Sequence, residues 1–385
     1  MEERTRAYLR GRFGDHYRKT SITPPPDANE REWGYVPWTE GPGETYVRHR
    51  SLLDMGTLEA FLARERPRHV YFSAGRYDDP GASTMGGKGW RGSDLIFDLD
   101  ADHLPGVEPD DPYAAMLATC KDALRRLLDF LENDFGFEDL TVVFSGSRGY
   151  HVHVRDPGIQ GLERDARREI VDYVRGIGLD PEDLVRTELR GNATARVLPT
   201  DGGWGRRIHR RLLDVVAELE RTDESTALSR LQELDDIGQR RAETVYGAIK
   251  NNPDAIRAGN LEAGGVGIRT LVGSLVGETV ADERAPIDEP VTTDTNRLIR
   301  LPGSLHGGSG LAVRRIPRDG LDGFEPLVDA VPATFEDYDI AVEVTDGGRV
   351  ELDGDSFTLP EGVHTVPESV GAFLMCRGRA EKARE

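Results

Sequence analysis

The chain has 385 residues, 37% of them apolar, which is enough for two or three average domains with a real core. It holds no run of about 18 apolar residues, no apolar signal core behind Met1-Glu2-Glu3-Arg4, and two distant cysteines, Cys120 and Cys376. A membrane span, a secretory signal and a disulfide framework are therefore excluded, and a cytoplasmic protein is expected. The net charge of −20 argues, taken alone, against a nucleic-acid partner, but only five of the 49 basic residues are lysine and 44 are arginine, a balance that fits a surface kept hydrated in high salt, where local arginine clusters say more than the total.

Thr5 to Tyr17 reads as a helix with Tyr8, Leu9 and Phe13 apolar, and Pro24-Pro25-Pro26 stops it. Tyr46-Val47-Arg48 is a short predicted strand. Thr57 caps a helix whose apolar face is Leu58, Phe61 and Leu62, and His69 to Ser73 is a strand of β-branched and aromatic character. Gly81 to Gly92 is read as a loop carrying Lys88, Trp90 and Arg91. Leu95-Ile96-Phe97 then leads into Asp98-Leu99-Asp100 as a short buried strand. Residues 113 to 133 form the clearest amphipathic helix, with Met116, Cys120, Leu124, Leu127, Leu128 and Leu131 on one stripe. Leu140 to Phe144 and His151 to Val154 are strands joined by the turn Ser145-Gly146-Ser147-Arg148-Gly149-Tyr150, a hairpin. From 158 to 285 the chain reads as a charged, mainly helical insertion. Asp288 to Gly310 returns to ordered sequence, and beyond 325 come β-like pieces at Ile340 to Val344 and Phe357 to Leu359 and a short final helix. The predicted division is thus 1–157 for the first part of a core, 158–285 for the insertion, 286–325 for a return to the core, and 326–385 for a segment packed on it.

Three polar stretches carry chemistry. Alternation along a strand points Asp98 and Asp100 the same way. Two adjacent carboxylates repel and make a poor core, and a divalent cation between them resolves both costs; a solvated strand end in an acidic protein is the plainer alternative. The turn from Ser145 to His151 offers backbone N–H groups and Arg148 to an anion, while a plain hairpin turn would need only its glycines. His151 and His153 share a strand face, and without Cys or His partners at suitable spacing zinc is not expected there. Arg300 and His306 bracket a Pro-Gly turn. Cys120, among apolar neighbours, reads as a core residue.

Taken together and in this order, Asp98-x-Asp100, Ser145 to His151, and Asp288 with Arg297-Leu298-Ile299-Arg300-Leu301-Pro302-x-Ser304-Leu305-His306 resemble the catalytic small subunit of the archaeal and eukaryotic type of DNA primase, haloarchaeal members in particular. Arg31-Glu32-Trp33, Lys88-Gly89-Trp90 and Phe130 to Phe137 are similar to archaeal members as well, so the resemblance spans about residues 5 to 310. It implies an α+β fold, mixed α/β in character: an antiparallel-sheet, RNA-recognition-like catalytic core flanked by helices, with a helical insertion. It implies that Asp98, Asp100 and Asp288 hold two Mg²⁺ or Mn²⁺ ions, with Asp294 the rival for the third place. Ser145, Arg148, His151, Arg300 and His306 would hold the nucleotide triphosphate, and Glu32 and Arg48 would lie near the nucleotide. Many archaeal members carry a zinc knuckle after the acidic strand; here only His103 and Cys120 stand in that segment, too few ligands for a tetrahedral site, and no zinc is expected.

The activity so implied is template-directed synthesis of short RNA or DNA primers on single-stranded DNA by a nucleotidyltransferase that uses NTPs or dNTPs, in a heterodimer with a large subunit. Phosphoryl transfer depends on positioning and charge stabilisation, which matches motifs of Asp, Arg and His without an activated Ser or Cys. The alternatives are a repair-type primase-polymerase and an inert nucleic-acid-binding scaffold subunit. A dehalogenase-type phosphatase is excluded, since it needs a further Lys and a paired acidic motif in order.

Overall fold

The computed structural model describes residues 1–39, 45–108, 110–190, 193–262, 265–335 and 338–384. The chain forms two compact units, one of 1–122, 138–169 and 286–385, the other of 123–137 and 170–285. Among the described residues no helix is long and apolar enough to cross a membrane.

The first unit is built on two antiparallel sheets. One holds β1 (Arg31–Val36), β2 (Val47–Arg50), β3 (His69–Tyr77), β4 (Trp90–Ser93) and β10 (Leu298–Arg300), in the order β10-β3-β1-β2 with β4 also on β3. The other runs β11 (Arg314–Ile316), β6 (Leu140–Phe144), β7 (Gly149–Val154), β5 (Leu95–Asp100). Alternation sorts each strand. On β5 and β7, Leu95, Phe97, Leu99, Tyr150, Val152 and Val154 are wholly buried. The intervening Ile96, Asp98 and Asp100 stand opposite His153, His151 and Gly149, and directly opposed residues of a pair share a face. The sheets meet where His153 stacks on Phe72 of β3, ring centroids 6.0 Å apart. A third sheet, β15-β12-β16, is formed by β12 (Asp339–Val344), β15 (Gly362–Pro367) and β16 (Ala380–Lys382), and a two-stranded ribbon by β13 (Gly348–Leu352) and β14 (Asp355–Leu359). The final predicted helix, Glu368–Cys376, is therefore followed by a further strand.

Two buried charge centres hold this unit. Asp94, just before β5, receives both Nη2 bonds of Arg31 at 3.0 and 3.1 Å and the Nε of Arg155 at 3.0 Å. Arg167 bonds the carbonyls of Asp94 and Ser93 at 3.0 and 2.8 Å. Glu368, buried, pairs with Arg12 of the first helix, Glu3–Lys19, at 2.7 Å and accepts from Tyr8. The segment read as a loop from Gly81 to Gly92 instead contains a helical turn, Met85–Lys88, capped by Thr84, and β4. Its glycines hid the strand, which exists because Trp90 and Ser93 pair with Tyr77 and Gly75 of β3.

The second unit is mainly helical, with Gly203–Arg221, Glu224–Gln232, Gln239–Asn251 and Gly265–Glu283 its main helices. Trp204, Ile208, Leu212, Val245, Ile249, Leu271 and Leu275 form its core. Arg207 is buried, pairs with Asp129 and Asp134, and lies 3.7 Å from the Phe130 ring centroid. The insertion is not all helix: β8 (Arg186–Arg190) and β9 (Ala193–Val197) pair as a hairpin whose Arg and Glu residues masked the alternation.

Candidate functional site

The site grows from the edge of the β11-β6-β7-β5 sheet. β5 is the outer strand, and the N–H of Asp288 donates to the carbonyl of Asp98 at 2.9 Å. That one bond covers part of the open edge and brings the third acid to the first two. Asp288 then stands at the N-cap position of the short helix Glu289–Thr293, its side chain making no capping bond. Asp294, its rival, accepts from the N–H of Asn296 at 2.9 Å, and its charge bears on Tyr77 and Arg167.

Electrostatics links the three acids. Burial and then the charge of Asp100 push the Asp98 carboxyl up to about 6, against the pull of Arg300, Arg297 and His103. Burial and Asp98 likewise push Asp288 up. Among the described residues no three His, Cys, Asp or Glu side chains close into a metal cage; the carboxylates are coupled by charge, not locked as a finished ligand shell. The donor set is oxygen only, which suits a hard cation such as Mg²⁺ or Mn²⁺, and a bound cation would reverse the cost that raises the carboxyls.

Beside them stands a set of neutral histidines. The Nε2 of His151 lies 3.4 Å from Asp98 Oδ1. Burial, then the charges of Arg300 and Arg297, push His151 down to about 3, so it stays uncharged. His306 is buried, and burial together with Arg300, His69, Arg68 and Arg148 drives it well below the usual histidine range. Its Nδ1 accepts from the N–H of Gly308 at 3.1 Å, which leaves the proton on Nε2 as a donor. His153 shares the strand face with His151 but turns inward onto Phe72, with Nδ1 3.3 Å from Arg155.

The turn between β6 and β7 holds Ser145 and Arg148, the groups expected from the sequence to meet an anion. It closes with the N–H of Ser145 on the carbonyl of Gly149 at 2.9 Å, and Ser145 Oγ accepts from Ser147 at 3.4 Å. Tyr113 donates to the Ser147 carbonyl at 2.7 Å. Arg148 is partly exposed and pairs with Asp102 at 2.7 Å. Gly149 faces β5 so closely that a Cβ would meet the Leu99 carbonyl oxygen at 1.9 Å. Gly146 has φ +82°, and a Cβ there would lie 2.8 Å from that of His306. Gly146→Ala is therefore strained in its backbone and displaces His306. It should cost ~1–3 kcal/mol of stability, read by thermal melting.

Arg300 lies on the edge strand β10 opposite Tyr71, its guanidinium 5.6 Å from that ring's centroid, and its charge is felt by Asp98, His151 and His306. Glu32 and Arg48 form a separate cluster. Glu32 is buried on β1, accepts from Arg48 Nε and from the N–H of His49 at 3.1 Å each, and pairs with buried Lys88. Burial favours a raised Glu32, but Lys88, the His49 N–H and Arg48 together hold it below its ordinary value. Among the described residues no hydrogen bond or ion pair joins this cluster to the three acids. Sequence reasoning passed over Arg297, whose charge is felt by Asp98 and Asp288; its position in an Arg-x-x-Arg run three residues before Arg300 was the available signal. His103 ends a 3₁₀ turn, and Cys120 is buried with Sγ 3.6 Å from the Leu99 carbonyl.

Comparison with known proteins gives one family. The profile described as DNA primase small subunit matches residues 97–317. The DNA primase small subunit PriS of Haloarcula marismortui is 66% identical over the whole of both chains. That of Halorubrum lacusprofundi is 59% identical, again over the whole of both, and that of Methanothrix thermoacetophila is 41% identical over 99% of this chain and 100% of its own.

Proposed function

The chain belongs to the DNA primase small subunit family, and on that premise we propose that it is the catalytic subunit that builds short RNA or DNA primers on single-stranded DNA in the cytoplasm, by two-metal nucleotidyl transfer. The observation that carries this reading is the bond from Asp288 N–H to Asp98, which gathers three carboxylates beside the arginine and histidine donors.

Asp98, Asp100 and Asp288 would hold two Mg²⁺ or Mn²⁺ ions, which when bound lower the pKa of the attacking 3′-hydroxyl and stabilise the leaving pyrophosphate. The chain's own groups position the nucleotide. Arg148 grips phosphate oxygens as a fork, with Ser145 and the backbone of its turn beside it. His306, uncharged, donates its Nε2–H to a phosphate oxygen. Arg300 adds charge over the same spot, and neutral His151 steadies Asp98. Glu32 and Arg48 stand near the nucleotide on the neighbouring sheet. A large subunit completes the heterodimer. Two buried cysteines cannot hold an iron–sulfur cluster, so any cluster in the assembly belongs to that partner. His103 and Cys120 would give zinc at most a weak site, and metal analysis after dialysis should give less than ~0.5 equivalent.

The test is synthesis on single-stranded DNA that carries no 3′ end, with NTPs or dNTPs, Mg²⁺ and Mn²⁺ compared in molar KCl. New oligonucleotides are expected from the bare template. Extension only of a supplied primer would redirect the reading to a repair-type primase-polymerase, and no incorporation with the large subunit present would sink it.

A further inference from the structure

A cavity lined by four arginines lies beside the phosphate-binding turn, and only one of them, Arg148, is used by the chemistry above. It measures about 600 Å³, and around Arg148 it gathers Arg349 of β13 and Arg377 and Arg379, which follow the helix Glu368–Cys376. A second cavity of about 200 Å³ shares Tyr113, Arg349, Arg377 and Arg379 with it. Tyr113 joins the two sides. Its hydroxyl holds the Ser147 carbonyl, and the Arg377 guanidinium lies over its ring, 4.4 Å from the centroid, and 5.3 Å from that of Phe373.

Four guanidinium groups around one space repel and need counter-charges. Arg148 has Asp102 at 2.7 Å, Arg349 has Glu351 at 2.6 Å, and Arg379 has Asp346 at 3.6 Å with the carbonyls of Asp346 and Gly347. Arg377 has no ion-pair partner among the described residues and is held by the aromatic rings. Four acids line the same space, Asp102, Glu108, Asp110 and Asp111, one for each arginine, and Asp111 is occupied by the N–H of Glu108 at 2.8 Å. The Asp102–Arg148 pair is 37% and 42% exposed on its two sides, so water screens it and it yields readily to a stronger anion. A phosphate accepts from two guanidinium forks at once, and a carboxylate of the rim cannot do so as well.

We propose that this cavity is a second phosphate subsite, in which Arg377, carried on Tyr113 and backed by Arg349 and Arg379, binds the outer phosphates of a nucleoside triphosphate next to Arg148. The proposal rests on Arg148 as a triphosphate ligand and adds the C-terminal segment to the nucleotide machinery. The triphosphate has two sources: the incoming nucleotide, or the nucleotide that begins the new chain and keeps its 5′-triphosphate.

Inorganic tripolyphosphate is the probe, titrated calorimetrically into the full chain without divalent ions at the lowest KCl that keeps it folded. R377Q should weaken binding about fivefold or more, R377K should fall between it and the parent, and R148Q should weaken binding as well. Parent-like binding by R377Q with weak binding by R148Q overturns the subsite and spares the catalytic reading; parent-like binding by both overturns both. In the enzyme assay, a KM increase for R377Q in extension of a preformed primer assigns the subsite to the incoming nucleotide. An increase confined to formation of the first bond assigns it to the initiating one, and no increase in either overturns the proposal.

Discussion

Asp98→Asn is expected to abolish primer synthesis and, in the same protein, to raise thermal stability at neutral pH. The loss follows from the role proposed for Asp98: one carboxylate fewer at a two-metal site should cost at least about a thousandfold, roughly 4 kcal/mol. The gain follows from where that carboxylate sits. Its folded pKa is pushed up to about 6 by burial and by Asp100, whereas an unfolded Asp titrates near ~3.9. A group raised on folding contributes stability that is fully present below its unfolded pKa and lost as pH rises through the folded one. Without divalent ions the parent should therefore lose up to ~2–3 kcal/mol between about pH 4 and pH 6. The Asn variant carries no such charge and should melt a few degrees higher above pH 6, with the difference closing near pH 4. Mn²⁺ should restore the parent and leave the variant almost unmoved. Melts from pH 4 to 8 in EDTA and in Mn²⁺, beside the synthesis assay, check both halves. Normal incorporation would refute the catalytic role, and equal melting temperatures at pH 7.5 would refute the strained carboxylate.

Asp94→Ala should be the most destabilising single change in the first unit. Asp94 and Arg31 are both buried, and Arg155 is nearly so. Burial alone works against the Arg31 charge, and Asp94 is the first influence that sustains it. Removing the carboxylate leaves two guanidinium groups in the interior without a counter-charge, which typically costs 3–5 kcal/mol or about that. Asp94→Asn keeps an acceptor and should lose less. Urea unfolding at fixed KCl reads the difference; a loss below ~1 kcal/mol for the Ala variant would show that the node is dispensable. Because β5 begins one residue later, activity should fall with the folded fraction.

The parts legible in the sequence were those written in local pattern. The apolar run before Asp98, the β6–β7 hairpin and the helix at 113–129 follow from alternation and a 3.6-residue stripe, and all three are present. The register that sets Asp98 opposite His151 was not written there, since it depends on which strands meet. Asp94 reads as an ordinary polar residue before a strand; its meaning comes from Arg31, Arg155 and Arg167, each far away in the chain. Lys88 looked like a loop residue and is buried against Glu32. Asp288 was reachable only through the family pattern, because one backbone bond brings it to the site. The C-terminal arginines had no motif to announce them; a helix end and a ribbon bring them to Arg148.

The bond between Asp288 and Asp98 also has a bearing on how the chain is made. On a ribosome adding about 5–20 residues per second, β5 emerges roughly 10–40 s before the segment that covers its edge. During that interval the nascent sheet offers an open strand, the geometry that pairs with other chains. Closing so long a loop costs about 4–5 kcal/mol in chain entropy, so capture of the edge is late as well as remote. Slowed translation between the hairpin and Ile287 should therefore increase aggregation of the nascent protein, a hazard located at one strand and lessened once residue 288 is in place.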